Sequence, residues 1–165
     1  MTTLRIGHGY DLHRLEPHPP AGQGRPFVLG GVTLPDLDYG PVGHSDGDAL
    51  YHAVTDAILG ALAMPDIGQL FPDTDPRHAG EDSSVYVIEA ARRLAQVGLT
   101  LINLDATIIA QRPKISPIKD RMIANLATHL GVEAAQVNIK GKTHEHVDAV
   151  GEGRALEVHV VVLVG

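Results

Sequence analysis

A chain of 165 residues that is 44% hydrophobic and 20% charged carries enough apolar material for one compact domain and too much for a disordered segment. No apolar run approaches the roughly 20 residues that a membrane span requires, and a net charge of −7 argues against broad binding of nucleic acid while leaving room for a small phosphorylated substrate held by local cations. The absence of cysteine removes disulfides and thiolate chemistry and suits a cytoplasmic location, and Met1 to Arg14 offers no apolar core of a signal peptide.

Arg5 to Leu15 reads as the first strand. Side chains two apart on a strand share a face, so Asp11 and His13 present a carboxylate oxygen and an imidazole nitrogen together. Taken alone, the pair reads as ordinary polar strand residues. His52, in a stretch that reads as a helix, supplies a third donor, and three ligands of mixed N and O type leave one position open on a tetrahedral zinc.

Pro17 to Pro26 is a Pro- and Gly-rich loop, and Phe27 to Leu34 reads as one strand with a kink or bulge at Gly30-Gly31. After a loop from Pro35 to Gly43, Ser45 or Asp46 is placed to cap a helix running from about Asp46 to Ala63, with Leu50, Val54 and Ile58 on its apolar side. Asp48, His52 and Asp56 are four apart and share a face. Two readings of that face stand level: carboxylates that orient His52 through its second nitrogen, or a solvated polar stripe.

Met64 to Pro76 is too rich in Pro, Gly and Asp for a regular element, and an ordered loop of that length is often functional. Ser83 to Val97 reads as an amphipathic helix ended by Gly98, and Leu99 to Ala110 as a strand. Arg112-Pro113-Lys114 is a turn with two cations, suited to a nucleotide or diphosphate. A helix from Pro117 to about Leu130 and a short strand, Val137 to Lys140, lead to Lys142-Thr143-His144-Glu145, where Glu145 is a hard oxygen ligand of the kind Mg²⁺ prefers. Leu156 to Val164, nearly all apolar, reads as a strand buried on both faces. The order implies one α+β domain over residues 1–165, with helices on one side of a sheet. Two candidate metal positions beside cations point to phosphoryl chemistry.

The strings His8-Gly-Tyr-Asp-Leu-His13, His44-Ser-Asp-Gly-Asp-Ala-Leu-Tyr-His52, Asp66-Ile-Gly, Leu70-Phe-Pro-Asp-Thr-Asp75 and Ile109-Ala-Gln-Arg-Pro-Lys114 occur in that order. From Arg5 to about Glu145 the chain resembles the 2-C-methyl-D-erythritol 2,4-cyclodiphosphate synthases of the non-mevalonate isoprenoid pathway. The resemblance implies a ferredoxin-like sandwich that forms a homotrimer with active sites between subunits. It also implies a metal-dependent cyclising phosphorus–oxygen lyase, in which the 2-phosphate of 4-diphosphocytidyl-2-C-methyl-D-erythritol 2-phosphate attacks the β-phosphorus and expels CMP. Neither nucleic acid nor membrane would be a partner.

Carried over by position, Asp11, His13 and His52 would hold Zn²⁺, and Glu145 would hold Mg²⁺ or Mn²⁺. His44 and Thr143 match transition-state-stabilising positions, with Ser45 beside His44 at the methylerythritol phosphate. Asp66, Ile67, Gly68, Phe71, Asp73 and Asp75 match the loop around the erythritol, and Ala110, Lys114 and Ile115 match the cytosine pocket. Lys142 and His144 replace smaller hydroxyl residues beside Thr143, either adding positive charge near the diphosphate or decorating a loop. Ala149 replaces a usual Phe and Glu152 a usual Arg, with Arg154 two positions later. In the family this segment lines an axial cavity that takes up an isoprenoid diphosphate, so Glu152 predicts poor binding of such a ligand. The competing readings are a binding protein that turns nothing over, a zinc-stapled structural domain and a metal-dependent phosphohydrolase. Structural zinc sites usually have four protein ligands rich in Cys, unlike this set.

Overall fold

Strand β1 (Arg5–Pro17) is the spine of the sheet in a computed structural model of the chain, which describes residues 4–72, 74–75 and 80–165. One edge of β1 pairs antiparallel with β7 (Ala155–Val164) from Arg5↔Val164 to Arg14↔Ala155, and its far end pairs with β4 (Tyr39–Pro41). Beyond β7 lie β5 (Leu101–Ile109), antiparallel to it, and β6 (Val137–Lys142), parallel to β5, giving the order β4-β1-β7-β5-β6. Helices α1 (Ala49–Ala61), α3 (Ser84–Gln96) and α4 (Lys119–Leu130) cover one face, as an α+β layer structure requires.

The opposite face is open in the single chain. Val158, Val160, Val162 and Val164 of β7 are fully buried under the helices, whereas Val161 is 43% exposed and Ile6, on β1 opposite Leu163, is 71% exposed. The reading of the last strand as buried on both faces is therefore corrected: alternation sends every second residue to a side that no helix covers.

Strand β1 and helix α1 meet backbone to backbone. A Cβ built on Gly7 would lie 1.8 Å from the Ala57 carbonyl oxygen, and one on Gly9 1.8 Å from that of Ala53. This close approach brings the Asp11 and His13 end of the strand against the first turns of α1.

The start of α1 differs from expectation. The helix begins at Ala49, with Asp48 as its N-cap in place of Ser45 or Asp46. The fully buried Asp48 carboxylate accepts from the backbone N–H groups of Leu50 and Tyr51 in the helix and of Gly30 and Gly31, at 2.7–3.1 Å. Those two glycines are not a kink in one strand. They form the turn of a hairpin, β2 (Val28–Leu29) with β3 (Val32–Thr33), and φ values of +56° and +68° suit a two-residue turn that demands glycine. Asp48 thus fastens the hairpin to the helix end. Asp48→Asn, which replaces one accepting oxygen by a donor facing donors, is expected to cost about 1–3 kcal/mol, seen as a lower urea midpoint with an unchanged slope.

The longer elements expected from periodicity appear with shifted ends. The short ones, α2 (Ile67–Leu70), a 3₁₀ turn (Ala134–Gln136) and α5 (Asp148–Gly151), lie in stretches with too few residues to display a period.

Candidate metal centre and flanking clefts

Alternation on β1 points Asp11 and His13 to the α1 side, and one turn beyond its Asp48 cap α1 presents His52 to them. The Asp11 Oδ2 atom lies 3.0 Å from His13 Nε2 and 3.0 Å from His52 Nδ1, and the two nitrogens are 3.2 Å apart. Neighbouring ligands of a tetrahedral ion with bonds of about 2.0–2.1 Å are roughly 3.3 Å apart, so the triangle needs only a small expansion to hold zinc. Among the described residues, no other group of three His or carboxylate donors converges in this way.

Hydrogen bonds behind the triangle fix the imidazoles. A carbonyl can only accept, so His13 Nδ1–H donates to Val42 O at 3.2 Å and leaves Nε2 facing the centre. The outer nitrogen of His52, Nε2, lies 2.9 Å from Ser83 Oγ and 3.1 Å from Ser45 Oγ. Neither earlier reading of the Asp48, His52, Asp56 face survives. Asp48 is spent on backbone donors, and Asp56 accepts from Ile67 N at 2.8 Å, so neither carboxylate orients His52 and neither forms a solvated stripe.

The electrostatics favour a cation. Burial opposes ionisation of Asp11, yet hydrogen bonds and charge from His13 and His52 outweigh it and hold the carboxyl well below the usual range. Burial likewise opposes protonation of His13, but the Asp11 carboxylate and Val42 carbonyl raise its pKa above the ordinary value. Protons therefore compete with a metal at this centre.

His13 and His52 form one wall of a cavity of about 340 Å³. His44, Ser45, Ile67, Gly68 and Phe71 also line it, and so does Tyr86, whose ring lies 4.6 Å from that of Phe71. His44 Nε2–H donates to the Asp75 carbonyl at 3.2 Å. Asp66 is the N-cap of α2, accepting from Gln69 N at 2.9 Å, and Asp73 lies outside the described residues. An Asp followed three residues later by Gln is an N-terminus signature that would have revealed α2. Nothing local in the sequence marks Tyr86 or Ser83.

A second cleft, about 580 Å³, opens at the C-terminal ends of the parallel strands β5 and β6, lined in part by Ala110, Lys114, Ile115, Lys142 and Thr143. Lys142 thus faces a cleft, whereas His144 is drawn aside by Asp148 at 2.9 Å and Glu157 at 3.3 Å. Glu145 is exposed in the left-handed region at φ +51° and accepts from Thr143 Oγ1 at 3.2 Å. Arg154 Nε donates to Glu152 at 2.7 Å, an ion pair within the chain. Among the described residues the two clefts share no lining residue, His44 belonging to the first and Thr143 to the second.

Comparison with known proteins joins this geometry to a family. The YgbB family model matches residues 4–165. A chloroplastic 2-C-methyl-D-erythritol 2,4-cyclodiphosphate synthase of Oryza sativa subsp. japonica is 54% identical over 97% of this chain and 69% of its own length. The synthase of that name from Burkholderia thailandensis is 49% identical over 98% of this chain and 95% of its own. The chain spans about two thirds of the length of plant relatives. Among solved structures, IspF of Plasmodium falciparum in a CDP complex superposes with a TM-score of 0.84 at 35% identity, covering 99% of this chain and 97% of that one.

Proposed function

The chain belongs to the YgbB family, and from that premise we propose that it converts 4-diphosphocytidyl-2-C-methyl-D-erythritol 2-phosphate to 2-C-methyl-D-erythritol 2,4-cyclodiphosphate and CMP. An oxygen of the 2-phosphate forms a bond to the β-phosphorus, the bond from that phosphorus to the CMP oxygen breaks, and CMP departs with the electron pair. The observation that carries the reading is the convergence of Asp11, His13 and His52, the two histidines lining a cavity together with Ile67, Gly68 and Phe71.

Asp11, His13 and His52 would hold Zn²⁺, and Glu145 would hold Mg²⁺ or Mn²⁺. When bound, these ions supply Lewis-acid polarisation of phosphoryl oxygens and offset the repulsion between the two phosphates. The protein's own contribution is placement. His44 and Ser45 grip the methylerythritol phosphate, and Ile67 to Phe71 enclose the erythritol together with Asp66, Asp73 and Asp75. Ala110, Lys114 and Ile115 receive the cytidine, while Thr143, with Lys142 beside it, stabilises charge as it builds on the transferring phosphoryl group. No general base is needed, because the attacking phosphate is already ionised at neutral pH and the tether gives it a high effective concentration.

Two clefts that stay separate in one chain make a full site when subunits associate. We assign the ferredoxin-like subunit to a homotrimer, each site joining the metal-bearing cleft of one copy to the cytidine cleft of the next. The uncovered apolar sheet face supports association, since exposed apolar area of this kind marks an interface. Among the described residues no helix is long and apolar enough to cross a membrane. A cytoplasmic location belongs to the same proposal, although the rice relative is named chloroplastic.

Incubating the protein with the cytidyl diphosphate substrate tests the reading. CMP release is expected to stop on chelation and return with Zn²⁺ plus Mg²⁺; release indifferent to chelation would contradict it.

A further inference from the structure

Ser83 is the N-cap of α3, yet its hydroxyl makes no bond to that helix. It is fully buried and turned towards α1, between the Asp46 carboxylate and the outer nitrogen of His52. An N-cap serine ordinarily spends its oxygen on its own helix. This one is committed elsewhere.

We propose that Asp46 and Ser83 are positioning residues that act through His52, keeping its outer nitrogen, Nε2, a hydrogen-bond donor so that Nδ1 is the nitrogen turned to the metal centre. The inference rests on the reading of Asp11, His13 and His52 as metal ligands.

The argument follows the hydrogens. Asp46 accepts from Ser83 Oγ and from Asp48 N on Oδ1, and from Ser83 N on Oδ2, so the carboxylate is held by three donors. A carboxylate only accepts, hence the Ser83 hydroxyl hydrogen points at Asp46. The lone pairs of Ser83 Oγ then face His52 Nε2 at 2.9 Å, and Nε2 must carry the imidazole proton to satisfy them. The other nitrogen, Nδ1, faces the inner side of the triangle, 3.0 Å from Asp11 Oδ2, which can also only accept: a hydrogen on Nδ1 bridges to that oxygen in the free protein, and an ion at the centre takes its place.

Ser45 Oγ, 3.1 Å from the same Nε2, does not reverse this. Were its hydroxyl to donate to Nε2, a bare nitrogen lone pair would face the committed Ser83 oxygen at 2.9 Å. The consistent arrangement has Nε2–H shared between both serine oxygens, the shorter contact being the one backed by a carboxylate. With His13 Nδ1–H set by the Val42 carbonyl, the outer nitrogen of each histidine is a committed donor before any ion arrives. The arrangement is a carboxylate–histidine–metal triad with a serine interposed, an outer layer that orients the ligand and raises its basicity.

The relay predicts different behaviour for three variants. Ser83→Ala removes the acceptor backed by charge and leaves only Ser45. Asp46→Ala removes the acceptor altogether and frees the Ser83 hydroxyl to turn its hydrogen against the one on Nε2. Ser83→Thr keeps the hydroxyl.

The test combines zinc affinity, by competition with a chromophoric chelator, with ¹H–¹⁵N imidazole spectra of the zinc-loaded protein that follow exchange of the His52 Nε2 hydrogen with water. In the wild type that hydrogen is expected to be protected. Ser83→Ala and Asp46→Ala are expected to lose the protection and to weaken zinc binding about 10–100-fold, the usual cost of losing an outer-layer partner, while Ser83→Thr retains both. The His13 signals are the internal control, since its bond to Val42 is untouched in any folded variant. Unchanged Nε2–H protection and zinc affinity in both Ser83→Ala and Asp46→Ala would overturn the inference. A folded wild type that binds no zinc would overturn the metal reading instead, and exchange of the Nε2 hydrogen in the zinc-free protein would still decide the relay.

Discussion

His52→Ala is expected to abolish both zinc retention and CMP release in a protein that still folds. The ring supplies one of the three donors that converge among the described residues, and it comes from a different element than the other two. Asp11 and His13 remain, but a two-donor site on one strand lacks the chelate geometry that a tetrahedral ion needs. The loss in affinity should exceed the about 100-fold at the upper end for outer-layer partners. Stability should change far less, by about 1–2 kcal/mol, because alanine is the best helix former and His52 contributes little to the aliphatic core. Equilibrium dialysis with metal analysis reads the first effect and urea unfolding the second. A His52→Ala protein that keeps stoichiometric zinc would remove this residue from the centre.

Gly9→Ala should be as damaging by a different route. Its Cβ would lie 1.8 Å from the Ala53 carbonyl oxygen and 2.7 Å from Ala57 N, inside any allowed contact and against backbone atoms that belong to a helix. Side-chain rotation cannot relieve a clash between two backbones, so β1 and α1 must separate. Overpacking of an interior typically costs about 1–3 kcal/mol and more where nothing can yield, and the upper end or beyond is expected here. The separation also has a functional cost. Asp11 lies two residues along the strand and His52 lies next to Ala53, so the shift that admits the methyl group opens the donor triangle. Gly9→Ala is therefore expected to lower the urea midpoint sharply and to lose zinc even where it stays folded, whereas a wild-type midpoint would show that the strand and helix are not in such contact.

How much of this was legible in the chain depended on how local each signal is. Strand alternation placed Asp11 and His13 on one face, although alone the pair read as ordinary polar residues, and a helical period placed His52 on a polar face open to two readings. Both are local patterns, and their meeting is the one long-range step that a shared metal made plausible. Asp48 was legible as an acid near a helix start but not as the cap, because two of its four donors come from the Gly30-Gly31 turn 17 and 18 residues upstream. Ser83 and Tyr86 carried no signal at all. Their roles arise only because the N-terminus of α3 comes to rest beside that of α1, which no window of sequence records. The same holds for β7, whose apolar run is indifferent to which face the helices choose. The two-cleft arrangement is invisible for a related reason: Ala110 to Thr143 and His44 to Phe71 are each locally readable, while the separation of the clefts they line is set by the fold.

The most direct test of the account is phosphorus NMR of the complete reaction of substrate with the zinc- and magnesium-loaded protein. The account predicts two mutually coupled phosphorus signals of a cyclic diphosphate appearing in step with CMP, with no other phosphorus product. A phosphate monoester or inorganic phosphate in place of the cyclic product would mean that water, and not the 2-phosphate, is the nucleophile, and would contradict the synthase assignment.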